Sequence, residues 1–158
     1  MFNWLKRPKQ MHSPLMVTYD FVVLPSGIRV LRLYCSGYYP PGSAGNSHAR
    51  QIYETGAEAF LATDADAVLL DFRHLDYIWG DDLCMAFDIP LHESVRRDDC
   101  PTAIIVGPKC EEALKTLIED GGGNLQDANV FWDEPSALER ISRDGTKRSS
   151  QITAQEEG

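Results

Sequence analysis

Residues 67–83 read Ala67-Val68-Leu69-Leu70-Asp71-Phe72-Arg73-His74-Leu75-Asp76-Tyr77-Ile78-Trp79-Gly80-Asp81-Asp82-Leu83. The stretch opens on an apolar run from Ala67 to Phe72, interrupted only by Asp71. Such a run marks a strand buried on both faces, the kind found inside parallel sheets. A short connection follows, with Leu75, Tyr77 and Ile78 spaced among polar residues. Trp79-Gly80-Asp81-Asp82 then reads as a turn into a helix. Gly80 tolerates a positive φ, and Asp81 or Asp82 can cap the helix amides. In open α/β sheets, sites lie where strands end and helices begin, so this turn is the first place to look for function.

Upstream of this stretch, Ser47 to Ala62 has helical spacing, with Ile52, Ala59 and Phe60 on one stripe and Tyr53 and Ala57 beside it. Asn46 or Ser47 can cap its start, and Gly56 in the middle permits close packing. Further back, Leu15 to Leu24 places Val17, Tyr19, Phe21 and Val23 at alternate positions, Pro25-Ser26-Gly27 is a tight turn, and Ile28 to Cys35 returns. Together these predict a β-hairpin. Its Arg29 and Arg32 face either water or an acidic neighbour. Ser36 to Asn46 reads as a loop, in which Tyr38 and Tyr39 either form an exposed binding edge or pack over the sheet rim.

Downstream, a second helix is expected from Asp81 to around Arg96, kinked or broken near Asp88 by Pro90. Cys84 falls in it as a small core residue, as Cys35 does in the hairpin. Thr102 to Val106 is a second buried strand, and Lys109 to Asp120 a helix stopped by Gly121-Gly122-Gly123. Ala128 to Trp132 is a short last strand. Asp133 can cap a final helix with Pro135 in its first turn and Ala137, Leu138 and Ile141 turned inward. The predicted architecture is α/β: a single mixed sheet with an N-terminal β-hairpin, right-handed crossovers and helices largely on one face. Residues 1–14 read as a basic arm, 15–143 as the domain, and 144–158 as a polar, disordered tail.

The chain of 158 residues is long enough for one domain with a real core. Hydrophobic residues make up 43% and charged residues 25%, as in ordinary globular proteins. A formal net charge of -9 argues against nucleic acid or an anionic membrane as partner and favours association with a basic protein. Cys35, Cys84, Cys100 and Cys110 form no C-x-x-C pair and no zinc-finger spacing with histidine. Lys6, Arg7 and Lys9 are not followed by an apolar segment of signal-peptide type, and the expected location is cytoplasmic.

The order of elements resembles the STAS fold, named from sulfate transporters and anti-sigma factor antagonists. The resemblance runs roughly from Leu15 to Ile141. It is carried by the hairpin, by Ala67 to Ile78, by Thr102-Ala103-Ile104-Ile105-Val106-Gly107, and by Val130-Phe131 followed by Asp133-Glu134-Pro135-Ser136-Ala137-Leu138. It implies a non-catalytic protein-interaction domain, regulatory in kind. Where the family has an Asp-Ser-Ser-Gly-Leu turn, this chain has Trp79-Gly80-Asp81-Asp82-Leu83. Aligned on Leu83, the family's phosphorylated serine corresponds to Asp81. A carboxylate carries about one negative charge against roughly 1.5 to 2 for a phosphate, so Asp81 is a partial mimic of the phosphorylated state.

Asp71, His74, Asp76, Asp81 and Asp82 form the densest set of ionisable groups. Their spacing matches no metal-ligand motif, and solvated loop charges and helix caps account for it more simply. No G-x-S-x-G is present, and Cys84 and His92 are too far apart on one helix for mutual activation. No cofactor is implied. Trp79 serves either as an anchor for a partner or as a lid on the core. The expected function is binding of a protein partner through Trp79, Gly80, Asp81 and Asp82, extended by Met85. The alternatives are an acidic inhibitor or immunity-type protein that neutralises a basic partner, and an enzyme or metal site using the Asp71 to Asp82 carboxylates.

Overall fold

A computed structural model describes residues 12–123 and 128–156, with the side chains of 147–156 left aside. Most of the arm expected at 1–14 lies outside the described residues. Five strands form one sheet in the order β1-β2-β3-β4-β5. They are β1 (Met16–Val23), β2 (Arg29–Tyr39), β3 (Ala67–Tyr77), β4 (Thr102–Ile105) and β5 (Val130–Phe131). β1 pairs antiparallel with β2, and every other pair is parallel. The helices are α1 (Asn46–Ala62), α2 (Glu111–Asp120) and α3 (Glu134–Glu156), with 3₁₀ helices at Gly42–Gly45 and Asp81–Leu91.

The strand order explains the layering. Each crossover from β2 to β5 steps in the same direction across the sheet, and right-handed connections therefore place all the crossover helices on one face. There, Ile52 and Phe60 of α1, Leu83 and Ile89 of the second 3₁₀ helix and Leu114 of α2 bury Leu31, Leu33, Val68, Leu70, Phe72 and Ile104. α3 is not a crossover, and it covers the other face, where Ala137 and Ile141 pack on Val30, Ala67, Leu69, Ala103 and Ile105. The apolar runs of the two central strands, Ala67 to Phe72 of β3 and Ala103 to Ile105 of β4, are buried on both faces.

Several elements differ from the sequence reading. β3 does not stop at Phe72: the supposed connection continues the strand to Tyr77, paired with an equally extended β2 through Ser36↔His74 and Tyr39↔Tyr77. Tyr38 and Tyr39 are thus strand residues rather than loop residues. Tyr39 is fully buried, and Tyr38 stacks on His12 with ring centroids 3.8 Å apart. The register shifts at Cys35, which faces both Phe72 and Arg73, so that Arg73 is the extra residue of a β-bulge. Period-two reading breaks at such a bulge, which is why the strand looked finished there.

The helix expected over Asp81 to Arg96 is a 3₁₀ helix that ends at Leu91. Its buried side chains Leu83, Ala86 and Ile89 recur every three residues, the spacing that a 3₁₀ helix eclipses onto one face. Pro90 can donate no bond in an α-helix, and its ring would crowd the carbonyl four residues back. This winding turns Cys84 outward, so it is exposed rather than a core residue. Gly56 of α1 is what admits this helix: a Cβ there would collide with Ile89 Cδ1.

α1 begins behind Gly45 with no side-chain cap, so neither Asn46 nor Ser47 plays that part. Asp133 does cap α3, accepting from the Ser136 backbone N–H at 2.8 Å and from its hydroxyl at 2.9 Å. These bonds hold the Asp133 carboxyl below its usual pKa. The backbone of 144–156 continues α3 rather than leaving it at Arg143. No proline interrupts it, Arg140 bonds Asp144 one turn on, and Gly145 lies so close to Ile28 that a Cβ would strike its side chain.

Replacing Leu70 by Ala should lower unfolding free energy by about 2 to 5 kcal/mol, as for other fully buried leucines. Leu61→Ala, on the exposed side of α1, should change it by less than about 0.5 kcal/mol. Urea melts of both variants check this, and equal losses would contradict the assigned layers.

Candidate functional site

Beyond the bulge, β3 carries its last residues to the edge of the molecule, and Ile78, Trp79 and Gly80 leave the sheet. Gly80 stands at φ +146°, a conformation L side chains rarely adopt, and sits as the N-terminal flanking residue of the 3₁₀ helix. Its carbonyl accepts a hydrogen bond from the buried Tyr77 hydroxyl at 2.9 Å. That helix start has no side-chain cap, so the capping role open to Asp81 or Asp82 is not the one they hold. The Trp79 carbonyl accepts from Gly42 N–H at 3.3 Å. A Cβ at Gly42 would meet the indole at 2.8 Å, so the ring rests on the glycine backbone.

The indole nonetheless covers no core. Trp79 is 59% exposed and its neighbour Ile78 58%. Beside them lies a cleft of about 300 Å³ between this turn and α2. Asp81, Glu112 and Asp120 contribute three carboxylates to its walls, and among the described residues no basic side chain lines it. Asp82 is half-buried on the other side of the turn, and Met85 is half-buried against the core; neither lines the cleft. The α2 wall, with Glu112, Thr116, Leu117 and Asp120, was not visible in the sequence, because only the sheet order brings α2 beside this turn. The available signal was the right-handed crossover rule, which places both elements on one face.

Burial pushes the Tyr77 hydroxyl up to about 12, and the nearby Asp81 charge adds to the effect. Burial also raises the Tyr39 pKa, with Tyr77 and Asp82 contributing. The Tyr39 hydroxyl has no hydrogen-bond partner among the described residues.

The remaining ionisable groups of the stretch do not converge. Asp71 is buried on the α3 side of the sheet and accepts from the Arg73 backbone N–H at 3.1 Å and from its guanidinium. His74 is exposed and Asp76 half-buried, both ahead of the turn. Among the described residues, no group of three or more His, Cys, Asp or Glu side chains could hold a metal ion. His92 is engaged away from Cys84: its Nε2 lies 3.0 Å from Glu54 and its Nδ1 accepts from Ser94 N–H at 3.0 Å. No helix among the described residues is long and apolar enough to cross a membrane. Searches against known proteins find no family model that matches this chain and no curated protein similar to it.

Tyr77→Phe isolates the bond that holds the turn. Loss of the hydroxyl leaves the buried Gly80 carbonyl without its donor and should destabilise the protein by about 1 kcal/mol at neutral pH. Below pH 10 the tyrosine is neutral in both states; between pH 10 and about 12 the unfolded chain ionises first, and this part of the parent's stability is lost. The gap between parent and variant should therefore narrow as pH rises through that window, as measured by urea melts at each pH. A constant gap would contradict the assignment.

Proposed function

We propose that this chain is a STAS-like, non-catalytic protein-interaction domain, regulatory in kind, which binds a basic segment of a protein partner at the Trp79 cleft. One observation carries the reading: Ile78 and Trp79 stand more than half exposed on a cleft whose described lining holds three carboxylates and no cation, Lys109 standing just outside it. Large apolar side chains held in water by a rigid backbone are typical anchors for a partner. Uncompensated charge around them steers an oppositely charged surface and raises its association rate.

In this reading, Trp79 and Ile78 supply apolar area, and Asp81, Glu112 and Asp120 choose the sign of the partner. Asp81 stands where the STAS family carries its phosphorylated serine and has no hydroxyl to modify. Its charge is permanent, so binding is not switched at that residue. Gly80 and Tyr77 act as positioning groups that hold the turn open. The acidic-inhibitor alternative uses the same cleft and differs only in what binding does to the partner.

The test is affinity for the partner recovered from native lysate, measured at low and high salt. Trp79→Ala should weaken binding by more than about 1 kcal/mol, as for a central anchor. Asp81→Ser should weaken it mainly at low salt, where surface charges are least screened. Since Asp81 caps nothing, Asp81→Ser should melt like the parent. If both folded variants bind as the parent does at each salt concentration, the turn is structural and the reading fails.

A further inference from the structure

A second cleft, of about 550 Å³, opens at the carboxyl ends of β4 and β5, against the bulge of β3 at Arg73 and His74. We propose that it binds a small, flat aromatic molecule bearing a single carboxylate or sulfonate. The proposal does not depend on the Trp79 cleft.

The volume falls within the usual range for small-molecule sites. The position is the crevice outside the ends of parallel strands, where α/β sheets commonly hold ligands. Val106, Gly107 and Pro108 contribute lining from the loop, and the Trp132 indole contributes an aromatic wall. Trp132 directly follows β5 and is 57% exposed. An exposed aromatic face beside apolar lining suits a flat apolar body, which can stack on it.

Two cations give the site its polarity. Lys109 is exposed and forms no ion pair among the described residues. Arg73 is held in place by Asp71, and its side chain is still 37% exposed. Nε and Nη2 are turned to Asp71, while Nη1 makes no hydrogen bond among the described residues. Arg73 is thus a fixed donor whose charge is largely balanced by Asp71 and by Glu134 at 3.8 Å.

Lys109 is then the main counter-ion; Glu111, which also lines the cleft, opposes it, and the exposed His74 on the same wall offers an imidazole N–H to the same anion. That balance suits one negative charge and disfavours two, in a chain whose net charge is already -9. A phosphate monoester, close to a dianion at neutral pH, therefore fits worse than a carboxylate. A neutral arene forgoes the Lys109 interaction, and a small aliphatic acid forgoes the Trp132 contact.

Naphthoate serves as the probe, titrated into the protein while the indole N–H signals of Trp79 and Trp132 are followed by NMR. Naphthyl methanol, naphthyl phosphate and acetate are the comparisons. Naphthoate should shift the Trp132 signal saturably and bind about tenfold or more tightly than each comparison, a free-energy difference near 1.4 kcal/mol. Trp132→Ala and Lys109→Glu should each weaken it about tenfold, and Lys109→Gln by less. Lys109 is exposed, so the spectra of its variants should remain those of the folded parent. The proposal is overturned if no saturable shift occurs, or if the shift falls on Trp79 instead. It is equally overturned if the alcohol or phosphate matches naphthoate, or if the folded Lys109→Glu protein binds like the parent.

Discussion

The bulge at Arg73 is held by the carboxylate next to it. Asp71 accepts the Arg73 backbone N–H and grips its guanidinium, so the donor freed where the ladder breaks is satisfied by the carboxylate two residues back. Three consequences follow along the chain. β4 stops pairing at Asp71↔Ile105. Gly107 then passes directly over the Arg73 backbone, at a distance no Cβ would permit. Past that crossing, the Lys109 carbonyl accepts from Tyr77 N–H at 3.1 Å, which supports the free edge of the strand's extension. The turn that displays Trp79 and the loop that forms the second cleft are both fixed by this crossing.

Charge is used in two different ways on this molecule. On the α3 side, Asp20, Arg32, Glu134, Arg73 and Asp71 alternate in sign across β1, β2, β3 and the start of α3. Arg32 bonds both oxygens of Asp20, at 2.7 and 2.8 Å, and reaches Glu134 at 2.8 Å with its remaining arm. Bidentate geometry and a shared network make such pairs stronger and more directional than isolated surface pairs. They tie the edge hairpin to the C-terminal helix where α3 does not reach. At the Trp79 cleft, by contrast, Asp81, Glu112 and Asp120 form no ion pair among the described residues.

Much of this architecture was legible in the residues. The hairpin, the stripe of α1, the apolar runs of β3 and β4, and the Asp133 cap of α3 each have a local cause, and each stands where that cause places it. What failed to show was set by distant neighbours. Leu75 and Tyr77 read as a connection because the bulge shifts the alternation, and only the extended β2 gives them a partner. The three-residue spacing of Leu83, Ala86 and Ile89 was present in the sequence but was masked by Met85, Phe87 and Leu91. Trp79 was conspicuous as a residue. Its exposure depended on Gly42, which supports the ring from a 3₁₀ turn 37 residues earlier. The α2 wall of the cleft has no local signature.

The sheet order β1-β2-β3-β4-β5 also bears on how the chain comes to be folded. Each strand lies next to the strand made just before it, so no place in the sheet must be kept open for a segment still to be synthesised. Once the β1–β2 hairpin is made, the β2–α1–β3 unit can close around Leu33, Phe60 and Leu70, and β4 and β5 can then add singly onto a finished edge. Short loop closures keep the entropic cost of each addition low. A nascent chain can therefore acquire its core in the order in which it emerges from the ribosome, with the apolar edge of β3 exposed only until Thr102 to Ile105 arrive.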